Sequence, residues 1–350
     1  MSDGHAGSAR GLDTSASAAA LPGWATLTVA TCNLLNLASP GRRYYENQDP
    51  YDRDDVERKL DWLGASFARL NADLVAVQEV WDEPMLREAV ARSGLRYAVV
   101  RAPGAEHGAV GTPRVGLFTR LAAEVIDSHA DFPPGCAVEV PELGTVARFE
   151  RPVLHAVLRT RHGQRLHVIT AHLKSKRPKI LQDAAGNALE DRDDPAVIAR
   201  ASLRSLVLRG AEAAALRQIV IGLLHRTREP LVLLGDLNDG PHSVTSQLIA
   251  ALTPAAYDRA ARDVALHHAW DVATEPALRR DLAYSHVHQG WPDLLDQVWV
   301  SEEFVAASKH AIGDVRRVEV FNDHLHEGRD RSRSDHGFVR ALLRFKLPPV

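Results

Sequence analysis

Six short polar clusters end or interrupt apolar runs along this 350-residue chain. They are Thr31-Cys32-Asn33, Gln78-Glu79, Thr170-Ala171-His172, Gly235-Asp236-Leu237-Asn238, Leu295-Asp296-Gln297 and Ser334-Asp335-His336. Asp236 and Asn238 stand two apart in an extended segment, so their side chains point the same way. A carboxylate and an amide on one side suit a hydrated metal ion or a phosphate oxygen. Asp335 puts an oxygen ligand beside the imidazole of His336. Asp296 is a carboxylate inside the apolar run Leu294–Val300. Burying it without a partner costs several kcal/mol, and the natural partner is a histidine held in one tautomer. Glu79 and His172 add one more carboxylate and one more imidazole at strand ends.

Oxygen donors predominate in this inventory. There is no G-x-S-x-G nucleophile turn and no H-E-x-x-H pair. The two cysteines, Cys32 and Cys136, make neither a disulfide framework nor a C-x-x-C zinc pair. Oxygen ligands suit Mg²⁺ or Mn²⁺ rather than zinc. Mg²⁺ binds through one or two carboxylates and keeps waters for a substrate phosphate. The pattern therefore points to metal-assisted hydrolysis of a phosphate ester by direct attack of water.

The elements that must position these groups follow from periodicity. Thr26 to Asn33 is β-prone and ends on a polar residue. Val56, Leu60, Leu63, Phe67 and Leu70 recur at spacings of four and three, one face of a helix with Asp54 and Asp55 at its positive end. Leu74–Val77 is a short apolar strand. Strand, helix, strand in this spacing predicts a layered α/β unit. Later strands are expected at Val115–Thr119, Val153–Arg159, Arg165–Ala171, Pro230–Leu234, Leu282–Val287, Leu294–Val300, Val315–Val320 and Gly337–Phe345. The last few lie too close together for helical crossovers, so part of the sheet is antiparallel. A long helix is expected over Ala196–Leu224. Strand ends meet at one edge of a sheet, where residues far apart in sequence converge.

Apolar residues make up 45% and charged residues 25%, enough to build a core and to exclude wholesale disorder. No apolar run reaches the roughly 18 residues of a membrane-spanning helix. A formal net charge of −3 excludes a generally basic nucleic-acid coat but not a local basic groove. Residues 1–23 are rich in Ser, Ala and Gly and lack the pattern of a secretory signal, so a mobile tail on a cytoplasmic protein is expected. Residues 24–350 are expected to form a single catalytic domain.

The motif series Thr31-Cys32-Asn33-Leu34-Leu35-Asn36, Val77-Gln78-Glu79-Val80, Thr170-Ala171-His172-Leu173, Gly235-Asp236-Leu237-Asn238, Leu295-Asp296-Gln297-Val298 and Ser334-Asp335-His336-Gly337 resembles the endonuclease/exonuclease/phosphatase superfamily. The resemblance spans roughly residues 26–345. It implies an α/β fold: a four-layer αββα sandwich of two mixed β-sheets. By the same resemblance, Glu79 is the principal metal ligand, with Asn33 assisting it or holding the phosphate and Asp335 a further ligand. Asp236 would position the attacking water and Asn238 would bond phosphate oxygens. Asp296 would orient His336, a general base or a donor to the phosphate. His172 would donate to a phosphate oxygen or assist the leaving group.

Such a catalytic set serves DNA, RNA, phospholipids and inositol phosphates alike, so it gives the reaction and not the substrate. Leu35 stands two positions after Asn33, where abasic-site enzymes typically carry an acidic residue. No aromatic cluster marks a membrane-entering hairpin, and stable membrane insertion is not expected. Lys174, Lys176, Arg177 and Lys179 follow His172, and Arg329, Arg331 and Arg333 precede Asp335 at alternating positions. Two basic stretches at one mouth fit a phosphate backbone, so a nucleic-acid substrate is expected first. A phospholipid head group, an inositol phosphate or another small phosphate ester is the alternative.

Overall fold

The computed structural model describes residues 23–45, 48–183, 186–251, 258–275, 282–328 and 330–347. Its strands, in chain order, are β1 (Trp24–Leu37), β2 (Leu74–Val80), β3 (Val99–Arg101), β4 (Arg114–Thr119), β5 (Ala122–Asp131), β6 (Val138–Val140), β7 (Gly144–Val146) and β8 (Arg148–Arg159). They continue as β9 (Arg165–His172), β10 (Leu231–Asp236), β11 (Leu266–His268), β12 (His286–His288), β13 (Trp291–Asp293), β14 (Asp296–Ser301), β15 (Gly313–Phe321) and β16 (Phe338–Lys346). The main helices are α1 (Arg53–Leu70), α2 (Glu83–Arg92), α3 (Pro195–Leu224) and α4 (Val244–Ala250).

Two six-stranded sheets form, in the orders β15-β16-β1-β2-β4-β3 and β11-β14-β10-β9-β8-β5. Both are mixed: β1 runs parallel to β2 and β9 to β10, and the remaining neighbours are antiparallel. Alternation along the strands decides the layering. Leu27 and Val29 of β1, Leu74 and Ala76 of β2, Val168 of β9, Val232 and Leu234 of β10, and Val298 and Val300 of β14 share one cluster between the sheets. The intervening Ala30, Cys32, Val75 and Val77 face Leu60, Leu63 and Phe67 of α1. On the other side, Ile169, Ala171, Leu231 and Leu233 face Leu216, Val220 and Leu224 of α3. Three apolar interfaces between four layers give the αββα sandwich.

Helix α1 starts where its sequence says it should. Asp52 caps it, its side chain accepting the Asp55 N–H at 2.7 Å, and Asn71 ends it in the left-handed conformation. Two departures from the sequence reading matter for the site. Strand β1 runs past Asn33 to Leu37 through a register shift against β2. In place of a strand over Leu282–Val287, β12 and β13 form a tight hairpin; part of the surrounding segment, 276–281, lies outside the described residues, as do residues 1–22 and Arg329. Among the described residues no helix is long and apolar enough to cross a membrane.

Candidate active site

The inner alternation that builds the inter-sheet core continues beyond its apolar stretch. After Leu27 and Val29 come Thr31 and Asn33; after Leu166 and Val168 come Thr170 and His172; after Val232 and Leu234 comes Asp236. Strand β14 runs the other way, so Asp296 sits at the same end as its first residue and directly opposite Asp236 in register. Asp236 also pairs in register with His172. His336 arrives from the segment leading into β16. At one end of the sandwich the core therefore turns polar, and both sheets contribute.

Glu79 does not reach this end by simple alternation. Val77 and Val80 both face the α1 side, and the register between them slips. Glu79 has φ 63°, in the left-handed region, which turns its carboxylate back toward Asn33. Leu35, Asn36 and Asn238 have φ of 49°, 53° and 53°. Non-glycine residues seldom adopt this conformation, and its concentration here marks backbone held in place by its surroundings. Gly235 meets a related demand. With φ 154°, it lies so close to β9 that a Cβ would come within 1.9 Å of the Ala171 carbonyl oxygen.

Asn33 ties the two sheets together. Its Nδ2 donates to Glu79 Oε1 at 3.3 Å and to Asp236 Oδ2 at 3.1 Å. Its Oδ1 accepts the Leu35 N–H at 3.0 Å. Asn33, expected beside the metal, thus faces the carboxylates with its nitrogen rather than its oxygen. Glu79 Oε2 accepts the Asn36 N–H at 2.9 Å. Asp236 Oδ1 accepts the Asn238 N–H at 2.9 Å, and Asn238 Nδ2 donates to the Leu173 carbonyl at 2.9 Å. The Asn238 side chain therefore braces the loop while lining the cavity above it.

His336 Nδ1 lies 2.7 Å from Asp296 Oδ2, the partnership that a buried carboxylate required. His336 Nε2 is 4.0 Å from Asp236 Oδ2, and His172 Nε2 is 3.4 Å from the same oxygen. Burial disfavours the charged form of His336, but Asp296, Asp236 and Asp335 outweigh it and hold the imidazole protonated well above its ordinary range. Burial, with Arg151 and His336 adding to it, pushes His172 the other way, so it stays neutral. Burial raises Asp236 and Glu79 above the usual carboxylate range, with Asp296 adding to the first and Asp335 to the second.

The cavity over these groups, about 600 Å³, is lined by Glu79, His172, Asp236, Asn238, Asp335 and His336 among others. Arg177, Leu35, Asn36, His286 and Asp335 also border a second cavity of about 730 Å³. The expected basic residues divide. Lys174 is buried rather than set along a groove: its backbone N–H donates to Glu212 at 2.6 Å and its Nζ to Ser175 Oγ at 3.2 Å. The bond to α3 turns it inward. Lys176 lines the first of these cavities but holds Asp239 and Asp293, both at 3.3 Å. Arg331 and Arg333 border the second cavity. Arg331 lies 4.3 Å over the Tyr51 ring and donates to the Asp49 carbonyl at 2.7 Å, and Arg333 pairs with Glu327. Arg177 borders both cavities, is exposed, and makes no side-chain ion pair among the described residues.

Two residues of the site escaped the sequence reading. Arg151 is buried in the wall of the first cavity, paired among the described residues only with Glu150 at 3.3 Å and with its Nε unpartnered there. Nothing in Glu150-Arg151-Pro152 distinguishes it from surface charge. Lys59 is 1% exposed, and its Nζ donates to the Arg331 and Arg333 carbonyls at 3.2 and 3.4 Å, beneath the loop that carries Asp335. Its signal was a lysine on the apolar stripe of α1.

A family model described as the Endonuclease/Exonuclease/phosphatase family matches residues 30–336. A comparison with curated proteins finds no match. Among solved structures, a humanized TDP2 from D. rerio is 15% identical, with a TM-score of 0.54 over 91% of this chain and 98% of that one. The human Nocturnin catalytic domain is 15% identical, with a TM-score of 0.51 over 91% and 94%. A mannosyl-6-phosphatase from Bacteroides thetaiotaomicron is 13% identical, with a TM-score of 0.53 over 91% and 99%. At such identities the likeness speaks for the fold alone. The family model, however, runs from β1 to His336 and so takes in all six polar clusters that meet at this end of the sandwich: the chain belongs to the endonuclease/exonuclease/phosphatase family.

Proposed function

We propose that the protein hydrolyses phosphodiester bonds of nucleic acid with the help of Mg²⁺ or Mn²⁺. The observation that carries the reading is the Asn33 link between Glu79 and Asp236, with the His336–Asp296 pair beside it, under one open cavity. The donor set fits a divalent cation. Glu79 is half-buried and crowded by Asp335, a strain that a cation relieves. Asp296 Oδ1 is buried without a partner. Asp236, Asp296 and His336 also bring ligand atoms within 4.8 Å of one another. His336 spends Nδ1 on Asp296 and is held protonated, and an imidazolium has no lone pair to offer. Glu79 and Asp335 are therefore the better holders, with Asn33 donating its amide N–H to Glu79 beside them. When bound, such an ion supplies Lewis-acid polarisation of the phosphate oxygens.

The chain's own groups do the rest. Asp236, whose pKa burial raises above the usual carboxylate range, positions water and takes its proton. His336, kept charged by Asp296, donates to a phosphate oxygen. His172 donates its single N–H, and the Arg151 guanidinium balances negative charge from behind. The cavity over these groups adjoins a second one that shares Leu35, Asn36, Arg177, His286 and Asp335 with it, and together they give more room than a monoester needs. Arg177, free to meet a neighbouring phosphate, supports a nucleic acid. A small phosphate ester is the second reading, favoured by the carboxylate partners that Lys176 and Arg333 already hold.

The test is turnover of labelled single- and double-stranded DNA and RNA beside a panel of small diesters and sugar phosphates, each in Mg²⁺, Mn²⁺ and EDTA. Hydrolysis of small esters alone would remove nucleic acid as the substrate. No metal-dependent hydrolysis of anything would remove the reaction.

A further inference from the structure

Trp291 is the most exposed aromatic side chain near the site, at 79%, and it belongs to the wall of the catalytic cavity. It sits on the β12–β13 hairpin, opposite His288 in register. The hairpin turns through Gln289 and Gly290, with φ of 51° and 84°, the two consecutive left-handed residues of a tight, twist-matched turn. Its base is fixed to the catalytic groups themselves. His286 forms a bridge to His336, and Ser285 Oγ accepts the N–H groups of Leu295 and Asp296 at 3.0 and 2.9 Å. The Gly337 N–H donates to the Ser285 carbonyl at 2.6 Å. The indole is therefore carried on a short hairpin whose base is braced against Asp296 and His336, and it faces the cavity that His336 lines. Arg177, without an ion pair among the described residues, lines the same cavity.

Resting on the nucleic-acid reading above, we infer that Trp291 is a stacking platform for an unpaired base next to the scissile phosphate, and that the substrate is single-stranded. A flat apolar ring in water beside a phosphate-hydrolysing centre meets whatever group the phosphate carries. In nucleic acid that group is a nucleoside, and its base offers a π-face only when its neighbours have let it go. In a duplex both faces are covered by the stack. A base on an exposed aromatic gains enough to change affinity by about 5- to 150-fold, without regard to sequence. The free guanidinium of Arg177 suits the phosphate that follows such a base. Trp291 is thereby a specificity residue that sorts single strands from duplexes, and it takes no part in the proton transfers.

The experiment compares kcat/KM for a single-stranded DNA homopolymer, the same strand with abasic residues throughout, and a duplex, for the unaltered protein, Trp291→Ala and Trp291→Phe. Binding of the same strands is measured in EDTA, where nothing is cleaved. The inference expects the unaltered protein to favour the base-bearing single strand over the abasic one by about 5- to 150-fold. That ratio should collapse to near one in W291A, be largely kept in W291F, and be mirrored in the EDTA affinities. Equal losses on all three nucleic acids in W291A would overturn it, as would an unchanged ratio. So would Trp291-dependent binding to phosphatidylcholine–phosphatidylserine vesicles with no dependence on bases. If the unaltered protein cleaves nucleic acid but ignores the base, this inference alone falls. If it cleaves only small esters, the nucleic-acid reading falls with it.

Discussion

Asp236 and Asp296 face each other as register partners on antiparallel strands, and His336 reaches both: its Nδ1 lies 2.7 Å from Asp296 and its Nε2 4.0 Å from Asp236. Like charges directly across a ladder destabilise it, so the protonated imidazole is part of what lets the two carboxylates coexist. Asp296→Asn should cut kcat by roughly 10²–10⁴ by releasing His336 from its tautomer and its charge. Because Asp296 raises the His336 pKa, the alkaline fall in activity that reports loss of this donor should move to lower pH in the variant. An unaltered pH profile at normal rate would show that the pair has no part in the reaction.

Chelation should abolish hydrolysis, and Mg²⁺ or Mn²⁺ should restore it. An ion that binds only the folded state also raises Tm with its concentration. Glu79→Gln should blunt that rise as well as the activity. Calorimetry showing the same metal-dependent shift in the variant would take Glu79 out of the ligand set.

Burial pushes Lys59 down to about 7 from its ordinary 10.5, against the pull of Asp335 and Glu79. The unfolded chain then binds more protons than the folded one between those values, so stability rises with pH across that window. Below pH 7 the penalty is complete. Lys59→Met should therefore stabilise the fold at pH 6 by on the order of 1–3 kcal/mol, after discounting the lost bonds to the Arg331 and Arg333 carbonyls. The gain should fade toward pH 10, and activity should fall as the Asp335 loop loses its anchor. Thermal melts of both proteins across that range decide the matter; a pH-independent difference would contradict it.

Gly235→Ala should cost at least about 3 kcal/mol, because no L side chain fits between β10 and the Ala171 carbonyl. Denaturant melts measure this, and a variant of normal stability and activity would mean that the strands can part there freely.

Arg177→Ala should flatten the salt dependence of single-strand binding by about 0.7 in log–log slope, the value for one phosphate contact. Arg331→Ala and Arg333→Ala should leave the slope nearly unchanged, since one stacks on Tyr51 and the other pairs with Glu327. Titrations at several salt concentrations would reveal the opposite pattern if those two arginines, and not Arg177, track the backbone.

Much of the arrangement was legible because alternation is a local property. Apolar runs that end on polar residues told where the strands stop, and a carboxylate amid Leu294, Leu295 and Val298 demanded a histidine partner. What was hidden depends on tertiary detail. The positive φ of Glu79 comes from a slip between β1 and β2 that no single strand encodes. The inward turn of Lys174 comes from Glu212 on α3, 38 residues away. The exposure of Trp291 rests on a hairpin turned at Gln289-Gly290, which falls between the strands expected at Leu282–Val287 and Leu294–Val300.

The cross-sheet reach of Asn33 has a consequence for how activity is gained and lost. Neither sheet holds a working half: Asn33 and Glu79 belong to one, and His172, Asp236 and Asp296 to the other. Their meeting depends on the apolar seam between the sheets, so the polar cluster exists only where the two sheets are packed face to face. A core substitution several residues down the strands from Asp236, such as one at Val168 or Val300, would disturb the site by tilting one sheet against the other while each of these polar side chains remains in its strand.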